Sequence, residues 1–232
     1  MSSQAATVKD EAAFHTARRI NRSLTASLEK RALLWMAERA PKWLTSDQLT
    51  LLGLTAQIAA GVGYALARTH RYALLFVIVC IALNWLGDSL DGTLARVRQQ
   101  QRPHYGFYVD HMVDIFGSTA LMCGLGFSGL LHWQTALAML IAFLLLSSES
   151  YLATYTLSSF EMSQGIFGPT EIRILLIIGN LALLHSPYST VFGHKMLLFD
   201  LGGTVAAVGM FVMAIGVTVR HTVELYREEP LP

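Results

Sequence analysis

The stretch GDSLDGTLARVRQQQRPHYGFYVDHMVD, residues 87–114, carries four aspartates, Asp88, Asp91, Asp110 and Asp114, between two apolar runs. Upstream, residues 72–87 hold no Asp, Glu, Lys or Arg, and downstream neither do residues 115–148. A carboxylate at the edge of such a run is costly unless something compensates it. Four of them close together ask for a chemical reason.

Working outward, 53% of the chain is apolar and 14% is charged. A soluble domain carries about a quarter charged residues. The apolar surplus comes in blocks: 48–67, 72–87, 115–148, 174–194 and 201–219. At about 20 residues per crossing, the 34 residues of 115–148 suit two helices with a turn near SGLLHWQ, residues 128–134. Backbone polar groups in lipid must pair within their own segment, so the blocks predict helices. The expected fold is an all-α integral membrane protein with six transmembrane helices, preceded by an interfacial amphipathic helix.

The net charge of +1 gives no sign of a nucleic-acid partner. The distribution of the 17 Lys and Arg residues is more telling. Six spans put both ends on one side, together with Lys9, Arg18, Arg19, Arg22, Lys30, Arg31, Arg39, Lys42, Arg96, Arg98, Arg102, Arg173, Arg220 and Arg227. The opposite side holds Arg68, Arg71 and Lys195. The positive-inside rule then places both termini and the aspartate segment in the cytoplasm, with the protein in a membrane of the bacterial inner-membrane type.

Residues 1–23 read as a polar tail with no apolar h-region. Residues 24–44 read as a juxtamembrane helix ending before Pro41, with Leu24, Leu28 and Trp35 on one face and Trp35 and Trp43 suited to headgroup depth. Residues 45–222 form the six-helix domain, and 223–232 a cytoplasmic tail. Cys80 and Cys123 lie in apolar runs and read as buried free thiols.

At the end of the second span, Asp88, Asp91, Gly92 and Ala95 fall at i, i+3, i+4 and i+7, one helix face, with Arg96 one step round. At the start of the third, Gly106, Asp110, Asp114 and Gly117 fall at i, i+4, i+8 and i+11. Residues 97–105 connect them, with Pro103 suited to a turn. The hairpin thus turns two carboxylates on each arm toward the other, an arrangement that stands if cations sit among them. Hard divalent ions take oxygen ligands, and Mg²⁺ combines carboxylates with substrate phosphates. Helix capping in headgroup water, an ion path through the bundle, and an aspartate-rich prenyl transferase are the competing readings.

Asp88-x2-Asp91-Gly92-x2-Ala95-Arg96-x9-Gly106-x3-Asp110-x3-Asp114 resembles the signature of the CDP-alcohol phosphotransferase family, also called class I CDP-alcohol phosphatidyltransferases. Prenyl transferase motifs lack this Gly, the Ala-Arg pair and the second aspartate pair. The resemblance implies transfer of a phosphoryl-alcohol group from a CDP-linked donor to an acceptor alcohol, with release of CMP, in phospholipid biosynthesis. It implies two divalent ions, Mg²⁺ or Mn²⁺, held by Asp88, Asp91, Asp110 and Asp114, with Asp114 also the general base. It places Asp91, Gly92, Ala95, Arg96 and Gly106 at the nucleotide. It further implies a lipid substrate in the bilayer and a homodimer. The alternative from another class is a non-catalytic membrane cation transporter.

One departure lies in PKWLTSDQLTLLG, residues 41–53, where Asp47 stands in place of the family's frequent Asn; it reads as an N-terminal cap acid. Glu149, Glu171 and Arg173 are the candidates for the acceptor side. Gly168-Pro169-Thr170-Glu171 resembles a Gly-Pro-x-Glu stretch of the choline/ethanolamine phosphotransferase branch. His104 and His111 flank the hairpin turn, and Asp200 reads as a helix cap.

Overall fold

Helix starts and stops follow local chemistry. A computed structural model describes residues 18–20, 26–157, 159–161, 169–191 and 193–229. Most of the expected tail 1–23, as well as Leu24, Thr25, Gly168 and residues 230–232, lies outside them. The described helices are α1 (Ala26–Arg39), α2 (Ser46–Ala67), α3 (Ala73–Val97), α4 (Pro103–Phe127), α5 (Trp133–Leu157), α6 (Pro169–His185) and α7 (Leu198–Glu228). Thr45 opens α2 with a capping box: its hydroxyl accepts from Gln48 N–H, and its own N–H donates to Gln48 Oε1. Thr45, not Asp47, is therefore the cap of α2.

Between α3 and α4 the chain turns through a Schellman closure. Gln99 N–H donates to Arg96 O at 3.1 Å and Gln100 N–H to Ala95 O at 2.9 Å. Gln99 takes φ 56°, the left-handed region where glycine is usual. Pro103 then starts α4 at a position that needs no N–H. This turn joins the two aspartate-bearing arms, and α2 packs against both.

Among the described residues, four helices are long and apolar enough to cross a membrane: α2, α3, α5 and α7. Two of the six expected spans fall short of that measure. Asp110, His111 and Asp114 crowd the first turns of α4, and α6 has 17 residues. The 174–194 block also holds more than helix. It stops near Pro187 and gives way to the antiparallel pair β3 (Tyr188–Val191) and β4 (His194–Leu197), with Gly193 at φ 81° in the turn. Val, Thr and Tyr favour strands, which explains the switch. A second pair, β1 (Arg18–Ile20) with β2 (Ser159–Glu161), is parallel.

Glycines set the closest helix approaches. A Cβ on Gly124 of α4 would lie 1.9 Å from Gly61 O of α2, and one on Gly87 of α3 would lie 2.6 Å from Leu49 O. Small residues at such crossings let backbones touch, the usual device where lipid offers no hydrophobic drive. Around them Tyr64, Leu74, Val77, Cys80, Leu121, Leu125 and Leu183 form the larger core. Cys80 is buried as expected, whereas Cys123 is exposed on the outer face of α4; both are free.

A smaller core joins α1 to the bundle through Leu33, Ala37, Leu49, Leu90 and Leu94. The expected apolar face of α1 points the other way, with Leu28 72% and Trp35 58% exposed. Arg98, just past α3, donates to the carbonyls of Ala40, Pro41 and Leu44. These carbonyls lie in the connection between α1 and α2, so Arg98 pins that connection to the end of α3. Arg98→Ala should lower stability by about 1.5–3 kcal/mol, the range for bonds to a charged group, read as an earlier thermal unfolding of the purified protein in detergent.

At the opposite end, Arg71 donates to Leu183 O at 3.0 Å. Asp200 accepts from His132 N–H at 2.8 Å and also pairs with the His132 ring. Asp200 thus ties down the start of α5 from the first turn of α7.

Candidate active site

The site lies where the start of α2, the end of α3, the start of α4, the end of α5 and the start of α6 meet. Asp91 is 5% exposed and fixed on both sides. Thr50 of α2 donates its hydroxyl to Asp91 Oδ2 at 2.6 Å, and Gly92 N–H donates to Oδ1. Ser46, one turn before Thr50, donates to Asp91 O at 3.0 Å. Two neutral donors orient this carboxylate without neutralising it.

Asp88, one turn earlier on α3, takes its partner from another helix. Its Oδ2 accepts from Arg173 Nη2 of α6 at 2.7 Å. Arg173 Nε donates to Asn84 Oδ1 at 2.8 Å, and Asn84 Nδ2 donates to Gly53 O at 3.0 Å. Arg173 Nη1 is buried with no partner. Asp110 and Asp114, on α4, complete the group. Asp91 feels the charges of Asp88 and Asp110, and Asp114 feels those of Asp88, Asp91, Asp110 and Arg173. All four sequence-predicted aspartates therefore share one electrostatic field.

A cavity of ≈ 340 Å³ opens beside Asp91 and Asp110, while Asp88 and Asp114 lie outside its lining. That is within the usual size of a small-molecule site. Asp91, Gly92, Ala95 and Arg96 line it from α3, and Gly106 and Asp110 from α4. Here glycine plays another part than at the crossings. A Cβ on Gly106 would meet nothing within 4 Å, and one on Gly92 only the Arg96 side chain at 3.4 Å. Both leave room that no neighbour fills. At the mouth Asp47 and Arg102 form an ion pair, and Arg102 lies over the Tyr105 ring at 4.1 Å. Arg96 donates to Thr93 Oγ1 at 2.9 Å.

The remaining candidates are spread out. Glu171 is buried on α6, 8% exposed. Glu149 accepts from or donates to no cavity group that is described; its Oε1 lies 2.5 Å from His221 Nδ1 of α7. His111 packs against Phe107 and, at 4.4 Å between ring centres, against Tyr151 of α5. Sequence reasoning passed over Asn84, Ser46, Thr50, Arg102 and Thr154. Asn84 had a signal, as the one amide in the apolar run before Asp88, and Ser46 with Thr50 forms a polar i, i+4 stripe. Thr154 of α5 lines the cavity from a distant segment and had none.

The donor set is all oxygen: four carboxylates from the end of α3 and the start of α4, with one guanidinium among them. That fits a hard divalent cation. Among the described residues, no three His, Cys, Asp or Glu side chains already converge on one point. Asp88 is instead turned toward Arg173.

Comparison with known sequences decides the class: the profile of CDP-alcohol phosphatidyltransferases matches residues 43–220. The chain belongs to the CDP-alcohol phosphatidyltransferase family. It is an integral membrane transferase of phospholipid biosynthesis. Among solved structures, its fold is similar to that of a Mycobacterium tuberculosis phosphatidylinositol phosphate synthase crystallised with CDP-DAG bound. The two share 21% identity over 84% of this chain and 92% of the other, with a TM-score of 0.51. No curated relative matches. The matched span of this CDP-alcohol phosphatidyltransferase runs from just before α2 into α7 and contains every aspartate of the site.

Proposed function

We propose that the protein transfers a phosphoryl-alcohol group from a CDP-linked donor to the hydroxyl of an acceptor, with one of the two substrates a lipid in the bilayer. The observation that carries this reading is the conjunction of four mutually repelling carboxylates with a cavity kept open by Gly92 and Gly106. A transport path has no use for that open groove.

In this reading Asp88, Asp91, Asp110 and Asp114 hold two divalent ions, Mg²⁺ or Mn²⁺. Bound there, such ions neutralise the diphosphate and polarise the phosphorus under attack. Thr50 keeps Asp91 aimed at the cavity. Gly92, Ala95 and Gly106 admit the nucleotide against the helices, and Arg96 and Arg102 supply positive charge beside its phosphates. Asp114 takes the proton of the acceptor hydroxyl as its oxygen attacks the distal phosphorus, and the bond from that phosphorus to the CMP oxygen breaks. Arg173, paired with Asp88, is the acceptor-side cation in this reading.

The placement in the membrane follows the same lines. Neighbouring helices alternate in direction, since Thr50 meets Asp91, Asp47 meets Arg102, and Arg173 meets Asp88 at one end. We read α4 and α6 as the two further spans, α1 as lying at the interface, and the site end as cytoplasmic. The active form in this reading is a homodimer.

The test is CMP release by purified protein with Mg²⁺. CDP-diacylglycerol is supplied with glycerol phosphate, inositol phosphate or serine, and CDP-choline or CDP-ethanolamine with diacylglycerol. Acceptor-dependent CMP is the expected result and names the branch. Metal binding without CMP from any donor would overturn the reading in favour of a cation path.

A further inference from the structure

Glu29 lies on α1, outside the aspartate signature and outside the residues 43–220 that the family profile matches. Its Oε1 nevertheless accepts three hydrogen bonds. Thr170 Oγ1 of α6 donates at 2.8 Å, and Trp85 Nε1 and Ser89 Oγ of α3 donate at 3.1 and 3.2 Å. These donors sit beside the site. Ser89 follows Asp88 directly, and Thr170 is one turn before Arg173. Asp88 and Arg173 are the residues through which α3 and α6 meet at the site.

We propose that Glu29 is a positioning residue that sets the spacing of α3 and α6, and through it the direction in which Asp88 points. Three donors on one oxygen fix that oxygen relative to both helices. Neutral donors to a carboxylate make stronger bonds than neutral pairs do. No other described side chain bonds α1 to α3 and α6 at once. If the clasp opens, the polar ties of α6 to α3 at the site reduce to Arg173, through Asp88 and Asn84, and Arg173 follows α6 wherever it moves. Groups that orient metal ligands in this way matter about 10–100-fold in affinity or turnover. The proposal rests on the reaction proposed above in one respect, that Asp88 holds a cation.

The experiment compares wild type with Glu29→Ala and Glu29→Gln. Mn²⁺ affinity is read by paramagnetic resonance of the free ion, turnover by CMP release, and backbone opening by hydrogen exchange. Glu29→Ala should weaken Mn²⁺ binding and lower kcat about tenfold, with the donor KM little changed. Exchange should quicken in α1 and the first turn of α6 and stay unchanged at the Gly61–Gly124 crossing. Glu29→Gln keeps an accepting oxygen and should restore most of the loss. Mn²⁺ affinity and kcat within twofold of wild type in Glu29→Ala would overturn the proposal. If that variant fails to fold, Ser89→Ala and Thr170→Val each remove one donor. A smaller loss of Mn²⁺ affinity in these then supports the clasp, and none overturns it. If wild type itself binds no Mn²⁺ and releases no CMP, the reaction reading fails, and exchange in the first turn of α6 alone decides the role of Glu29.

Discussion

Asp114→Asn should reduce CMP release by about a thousandfold or more, while the protein stays folded and melts no earlier than wild type. The loss follows from two roles on one carboxylate. A positioned base contributes about 10²–10⁴-fold, and the same oxygens serve as ligands for a cation that neutralises the diphosphate. An amide keeps the shape, takes no proton and binds a hard cation poorly. The stability result follows from the company Asp114 keeps. Asp88, Asp91 and Asp110 all repel it, and Arg173 offsets them only in part. Removing one negative charge relieves that repulsion, so without divalent ions the variant should be at least as stable. This is the common trade between function and stability at a charged site. Steady-state CMP release and thermal unfolding, on the same preparation, check both halves. A variant that loses activity together with its fold would show that Asp114 is a structural residue.

The second large effect separates glycines that look alike in sequence. Gly124→Val should prevent recovery of folded protein. Its Cβ would stand 1.9 Å from a backbone oxygen of α2, which cannot move aside as a flexible side chain does. Overpacking costs about 1–3 kcal/mol where neighbours yield, and more where they do not. That is a large part of the roughly 5–15 kcal/mol that holds a domain together. Gly106→Ala and Gly92→Ala should fold normally, because their Cβ atoms would enter open space or meet only the end of Arg96. Both should raise the donor KM about tenfold, the scale of one misplaced methyl in a binding pocket. Size-exclusion chromatography separates the first outcome from the others, and donor titration reads the second. An unchanged donor KM in both alanine variants would show that the cavity is not the nucleotide groove.

These two experiments mark where sequence reading stops. The aspartate stripe on each arm was legible because a helix repeats every 3.6 residues, so i, i+3 and i+4 spacing alone puts Asp88 with Asp91 and Asp110 with Asp114 on common faces. Membrane embedding was legible because lipid leaves backbone groups few ways to be paired. Pro103 marked the turn between the arms, and its missing N–H fits the start of α4.

What the chain alone could not give is which face meets which neighbour. Gly117 shares a stripe with Asp110 and Asp114, yet its Cβ would stand 2.2 Å from Gln57 Oε1, so it serves packing against α2. Asp47 had the place of a cap, but Thr45 caps α2, and Asp47 pairs with Arg102 across the cavity mouth. On α1, Leu28 and Trp35 stay exposed while Leu33 and Ala37 pack against the bundle, a second face that periodicity did not single out. Glu29, Thr50, Asn84 and Arg173 gain their partners from residues 27 to 141 positions away. Periodicity and hydropathy are local and are written in the sequence. Pairings across helices depend on rotation and depth in the bundle, which backbone approach at Gly61, Gly87 and Gly124 sets, and only the tertiary structure decides them.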